Sequence, residues 1–282
     1  MPNPQPTTPE WTMLGGAVVI FVGSFLDVAP GASAWSNTFT TIKLVPIYAI
    51  VVAGIVIIAR LLRAELPERV GSFSWPQLLV TVSVFATVMA VAWYFAIDDR
   101  RAGIYVVLAG CIVMLVGAIA DQRASNRRLH LYSPPIAHRE QLSTANLVIL
   151  GAAIAMLVGS FLPFWKISGG GLFPDVSFNA WNRSMFFVFP VTIVPVFCAA
   201  VMAIYVVVRA ALNMPLPTRV FSFTWDQILL ACGFQAVVMM LGFIVENQRG
   251  IDLGTGFYLM LAASVALAVG AVLRTREISS RY

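Results

Sequence analysis

Charge is scarce in this chain. Only 11% of its 282 residues are Asp, Glu, Lys or Arg, against about 25% in soluble domains. Hydrophobic residues make up 59%. These proportions exclude an ordinary soluble globule and a disordered chain. The net charge of +5 is too small and too dispersed for a nucleic-acid surface. Histidine is scarcer still, with two residues, and cysteine occurs three times. His130 and His138 lie in a polar segment without Cys partners, and zinc sites need more ligands at tighter spacing. Cys111, Cys198 and Cys232 fall inside apolar stretches, where a single thiol behaves as a small apolar group, so neither a disulfide nor a metal site is expected.

The chemical motifs are missing as well. The sequence has no G-x-x-x-x-G-K-[ST], no H-E-x-x-H and no G-x-S-x-G, so no P-loop, zincin helix or nucleophile elbow is present. No ionisable residue lies mid-way along any long apolar stretch. Asp27 and Glu246 sit at the ends of theirs, and Gln235 is the main strongly polar residue deep in one. Ion-coupled carriers usually place carboxylates inside their spans, so their absence argues against that class. Catalytic residues, cofactors and metals are therefore assigned as none. Asp98, Asp99 and Arg101 form the one polar cluster from which an enzyme acting on lipid-linked substrates could be built.

What the sequence has is hydrophobic length. A membrane-spanning helix needs about 20 apolar residues. Eight stretches qualify, at 11–28, 44–62, 78–97, 103–120, 147–164, 186–208, 228–245 and 256–273. The first ten residues carry no Lys or Arg, so the first stretch reads as a retained helix rather than a secretory signal. With eight spans both termini share a side. Arg60, Arg63, Arg69, Arg123, Arg127, Arg128, Arg139, Arg209, Arg219, Arg274, Arg276 and Arg281 fall there, against Lys43, Arg100, Arg101, Lys166, Arg183 and Arg249 opposite. The positive-inside rule then puts both termini in the cytoplasm of a cell whose inner (plasma) membrane holds the chain.

The chain also repeats itself. Residues 66–78, LPERVGSFSWPQL, match 216–228, LPTRVFSFTWDQI. VGSFL at 22–26 matches 158–162, Ala34-Trp35 matches Ala180-Trp181, and Val116-Gly117 matches Val269-Gly270. The offset between copies grows along the chain, so the second copy has gained residues, mostly around 167–178. The fold expected is all-α: eight transmembrane helices as two parallel four-helix repeats, 1–122 and 146–282, joined by a polar cytoplasmic linker at 123–145 that contains Pro134-Pro135. Four spans per copy is an even number, so both copies insert with one orientation, as parallel transporter repeats do.

Each repeated motif has a structural reading. Ser74 and Gln77, like Thr224 and Gln227, have capping-box spacing ahead of a span. Trp75 and Trp225 then lie at the headgroup level, with Arg69 and Arg219 near lipid phosphates. Gly23-Ser24 and Gly159-Ser160 permit close helix approach. Gly103, Gly110 and Gly117, and Gly256, Ala263 and Gly270, recur every seven residues and so share a helix face. That face suits a helix neighbour in the same chain or in another subunit. The loops at 27–41 and 163–185 hold Trp35, Phe173, Phe178 and Trp181, with Gly169-Gly170-Gly171 in the second. A Gly-rich aromatic loop outside the membrane suits protein docking, and those four aromatics are the candidate partner-binding residues. Asn182-Arg183-Ser184 fits an N-glycosylation acceptor.

The run GSFLPFW at 159–165, followed by Asn179-Ala180-Trp181, resembles a pattern in uncharacterised four-span membrane proteins of high-GC Gram-positive (actinobacterial-type) bacteria. The chain is similar to two such units in tandem, although Asp27 stands in the first copy where Pro163 stands in the second. The resemblance covers the first span and loop of each half and implies membrane residence without an assigned activity. The expected function is a non-catalytic accessory or scaffold subunit of a bacterial membrane complex, with membrane lipids and a protein as partners and no nucleic acid. The alternative is a transporter or lipid-handling permease with a path between the two repeats.

Overall fold

The computed structural model describes residues 7–36, 40–61, 69–126, 142–167, 175–182, 189–214, 216–217, 219–245 and 252–279. It divides into two compact units, Met1–Tyr132 and Ser133–Tyr282. The first contains α1 (Thr8–Phe25), α2 (Leu44–Leu61), α3 (Trp75–Ala96) and α4 (Ala102–Asn126). The second contains α5 (Thr144–Phe161), α6 (Val194–Val206), α7 (Trp225–Val245) and α8 (Thr255–Ser279). Helix α4 thus continues past residue 122 into the segment read as linker.

Seven of these eight helices are long and apolar enough to cross a membrane. Helix α1 is the exception among the described residues. Its 18 residues open with Thr8-Pro9-Glu10 and include Thr12, Gly15 and Gly16, which dilute its apolar run. In the seven spans, 39% to 61% of the residues are buried. The rest of that apolar surface faces outward, as in a protein whose solvent is lipid.

Within each unit the helices close a ring. Helix α1 packs on α2, α2 on α3, α3 on α4 and α4 back on α1; α5 to α8 repeat the circuit. This is the antiparallel arrangement of a four-helix bundle with short connections. One end of each bundle, the terminal end, carries the start of its first helix and the finish of its last. The cap end lies opposite.

The tightest seams are α1 with α4 and α5 with α8. A Cβ on Gly16 would fall 2.5 Å from Met114 N, one on Gly110 2.8 Å from Ile20 N, and one on Gly117 2.7 Å from Met13 N. Across α5–α8, a Cβ on Gly256 would fall 2.5 Å from the Gly159 carbonyl oxygen. Backbone lies on backbone there, and only a residue without a side chain fits. The seven-residue stripe therefore meets a helix of its own unit.

Short β elements finish the ends. At the cap end of the first unit, β1 (Asp27–Ala29) pairs with β2 (Ala32–Ser33). Two more hairpins lie at the terminal ends: β3 (Arg69–Val70) with β4 (Phe73–Ser74) before α3, and β7 (Arg219–Val220) with β8 (Phe223–Thr224) before α7. At the cap end of the second unit, β5 (Trp165–Ile167) lies between β6 (Val176–Phe178) and β9 (Asp252–Leu253). β5 and β6 stand where the first copy has β1 and β2, and the extra residues of the second copy fall mostly between these two strands.

Candidate functional site

The repeated L-P-x-R-V-x-S-F-[ST]-W-x-Q sequence is a hairpin followed by a helix cap. Arg69 pairs with Ser74 and Val70 with Phe73; Arg219 pairs with Thr224 and Val220 with Phe223. The Ser74 backbone N–H donates to Gln77 Oε1 at 3.0 Å, and the Thr224 N–H to Gln227 Oε1 at 2.9 Å. The Gln227 N–H donates to Thr224 Oγ1 at 3.4 Å. These reciprocal bonds satisfy donors that the first helical turn leaves unpaired. Arg69 and Arg219 are exposed, whereas Trp75 and Trp225 are half-buried. The Trp225 indole N–H donates to the Pro217 carbonyl at 2.8 Å, and its ring stacks on Tyr205 at 4.9 Å. Trp225 is thereby committed to its own unit.

The cap-end motif is a second lock. Trp35 Nε1 donates to Ser24 Oγ at 2.6 Å, and Trp181 Nε1 donates to Ser160 Oγ at 2.8 Å. Each serine hydroxyl in turn donates to the carbonyl three residues back, Phe21 or Leu157, at 2.6 Å. The Ala34 and Ala180 N–H groups donate to the Ser24 and Ser160 carbonyls, both at 3.1 Å. Each indole also stacks on the aromatic ring after the serine: Trp35 on Phe25 at 5.9 Å and Trp181 on Phe161 at 5.7 Å. The G-S-F…A-W pattern thus fixes the loop to the end of the first helix of each unit. The two Phe–Trp pairs remain outward-facing, with Phe25 59% and Phe161 61% exposed.

Phe178 is half-buried at the end of β6, opposite Trp165 on β5. Phe173 lies outside the described residues, as do Gly169-Gly170-Gly171, His130, His138 and Arg183. Beneath this layer Phe164 packs edge-on against Trp165, Phe243 and Phe257, with ring centroids 5.2 to 5.4 Å apart. The aromatic surface of the second unit therefore rests on a buried apolar floor.

The Asp98–Arg101 cluster is the α3–α4 turn. Arg101 Nη2 pairs with Asp99 at 3.3 Å, with both side chains more than half exposed. Arg100 Nε donates to the Tyr94 carbonyl at 2.7 Å, and its guanidinium lies 4.4 Å from the Tyr94 ring centroid. These side chains brace the turn on its outside, and an exposed pair of this kind contributes about 0–1 kcal/mol. Among the described residues no group of three or more His, Cys, Asp or Glu is placed to hold a metal ion.

One cluster escaped the sequence reading. At the terminal end of the second unit Arg274 on α8 is only 4% exposed. Its Nε donates to Asp226 Oδ1 on α7 at 2.8 Å, its Nη1 to Asn146 Oδ1 on α5 at 2.7 Å, and its Nη2 to the Tyr205 hydroxyl on α6 at 2.7 Å. Each helix of the bundle contributes one residue. Glu277, one turn beyond Arg274, accepts from the Ala145 N–H at 3.3 Å. Along the sequence Arg274 is one more basic residue near a span end. Its signal was the set of partners. Aligned on the repeated motifs, Asn146 stands where the first copy has Glu10, Asp226 where it has Pro76, and Arg274 where it has Asp121. All three positions differ, so the first unit cannot form this network. Chemically the cluster binds helices together: each guanidinium nitrogen already meets an acceptor. Cys198 and Cys232, on α6 and α7, are free thiols.

The chain matches no protein-family model, no curated protein and no solved structure.

Proposed function

We propose that the protein is a non-catalytic multi-pass membrane protein, an accessory or scaffold subunit of a larger bacterial membrane complex, with eight spans in two parallel repeats. The observation that carries this reading is the close packing of the α1–α4 and α5–α8 seams combined with the outward aromatic pairs. Glycine seams bring α1 against α4 and α5 against α8 at backbone distance, which leaves no width for a path along those seams. The buried charge among the described residues, Arg274, is consumed by three partners. Outward aromatic surface remains at the cap ends, in Phe25 with Trp35, Phe161 with Trp181, and Phe178.

Support for an eighth span comes from α1 itself. Pro9 and Met13 lie against Gly117, Gly16 and Ile20 against Gly110, and Leu26 and Asp27 against Gly103. Helix α1 therefore runs beside the apolar α4 over its full length, and a helix so paired crosses with its neighbour. The arginine distribution favours termini on the cytoplasmic side of the plasma membrane.

The test is mild detergent extraction from native membranes and identification of what stays bound. The expected result is a stoichiometric protein partner that is lost in a Phe25→Ala, Phe161→Ala variant. These substitutions spare both Trp–Ser hydrogen bonds, so the variant should still insert and melt near the parent temperature. Recovery of the chain without any protein partner would overturn the accessory reading. A retained small molecule or lipid would then favour transport through a path between the repeats.

A further inference from the structure

The connection between α6 and α7 ends in a feature that packing does not explain. The tip of the β7–β8 hairpin is Phe221-Ser222, and both residues are left-handed, with φ of +49° and +72°. The corresponding tip in the first unit begins with Gly71, φ +61°. Glycine adopts this conformation freely, whereas a phenylalanine there is strained. The fold accepts that strain and gains no burial from it: Phe221 is 84% exposed, the highest value among the large apolar side chains described.

The surroundings indicate what receives the ring. The apolar span containing α6 ends at Ala210, and the next begins at Trp225. With those two helices spanning, the described residues of this connection, such as Leu212, Met214 and Arg219, lie where hydrocarbon gives way to lipid headgroups. Leu212 and Met214 in this connection are also exposed, and Arg219, two residues before Phe221, is exposed and cationic. The one acidic residue between 207 and 228 is Asp226, which is already bonded to Arg274. An apolar wedge beside an exposed positive charge is the chemistry of an interfacial anchor for an anionic leaflet. Trp225, beside the hairpin, bonds Pro217 and stacks on Tyr205.

We propose that the β7–β8 hairpin is a phospholipid-binding element. Phe221 inserts below the headgroups and Arg219 holds the phosphate of an anionic lipid. The hairpin of the first unit, with glycine at its tip, lacks the wedge. This proposal rests on α6 and α7 being membrane spans.

The test uses the full chain with photoreactive p-benzoylphenylalanine at position 221, reconstituted into phosphatidylcholine vesicles with and without phosphatidylglycerol. Irradiation followed by intact-mass measurement should show an adduct of one phospholipid, several-fold more abundant with phosphatidylglycerol. Arg219→Gln should remove that preference. Phe221→Gly should melt no lower than the parent, because it relieves the left-handed strain. As a control, the same photoreactive residue replaces Phe234, exposed along α7. A lipid adduct from 234 with none from 221 would overturn the proposal and leave the spans standing. Cross-linking of 221 to a second protein copy, in place of lipid, would also overturn it. No lipid adduct from either position would overturn the spans together with the proposal.

Discussion

At the scale of single residues, polar side chains in this protein act as fasteners. Ser24 and Ser160 show how. A hydroxyl in an apolar helix bonds a carbonyl of its own chain, which costs little, and its remaining lone pair receives the Trp35 or Trp181 indole. Trp35→Phe and Trp181→Phe keep the ring stack and remove the hydrogen bond. Each should lower stability by about 1 kcal/mol, read as a lower melting temperature in detergent. Arg274 is the stronger case. Arg274→Met should cost about 3 kcal/mol, because it strands Asp226 and leaves Asn146 and Tyr205 without their donor. The double variant Arg274→Met, Asp226→Leu should recover most of that loss, since a buried ion pair and a well-packed apolar pair are often close in free energy. If the double variant is no more stable than the single one, the pair is not the source of the stabilisation.

At the scale of helices, the α1–α4 and α5–α8 seams decide how each bundle closes. Neighbouring glycines make the point. Gly15 has open space where a Cβ would go, whereas Gly16, next in sequence, faces the Met114 backbone at 2.5 Å. Gly15→Ala should leave stability unchanged or raise it by up to about 1 kcal/mol through helix propensity. Gly16→Ala should force α1 from α4 and lower the melting temperature. Equal behaviour of the two variants would show that the seam is looser than described. Composition marks both residues as helix-weakening, and helical periodicity places them on different faces. Which face meets α4 depends on the neighbour. The regular spacing of Gly103, Gly110 and Gly117 was legible in the sequence, but its partner was not, because a smooth helix face fits any other smooth face.

At the scale of the molecule, a repeated sequence forms two closed bundles that share two fasteners, the capped hairpin and the Trp–Ser lock. Among their differences are the terminal-end network around Arg274, the three-stranded cap over Phe164 and the tip of the β7–β8 hairpin. If α1 crosses the membrane beside α4, the segment before residue 7 and the α2–α3 connection lie on the same side. Single cysteines at Thr7 and Arg69, each exposed, should then be labelled together by a membrane-impermeant maleimide, and from one side only. Opposite labelling would leave α1 out of the membrane. The second unit, with its extra network, should also be the last to melt. Hydrogen exchange in detergent should show slower opening for α5–α8 than for α1–α4.

Apolar length, the arginine bias, the duplication and the caps of α3 and α7 were all determined by sequence, because each is local. Span length is a property of consecutive residues, and a capping box joins residues three apart. The Arg274 network was decided by tertiary structure alone. Its four members come from four helices and are separated by up to 128 positions, and no local pattern predicts that they meet. The same holds for Trp35 and Trp181. As residues in loops they suit docking, and only the folded end of α1 or α5 shows that their polar edges are already occupied. Phe221 illustrates the remaining case. Its position in a repeated motif was plain, but its left-handed backbone and exposed ring depend on how two short strands turn, which the hairpin geometry sets and hydropathy does not record.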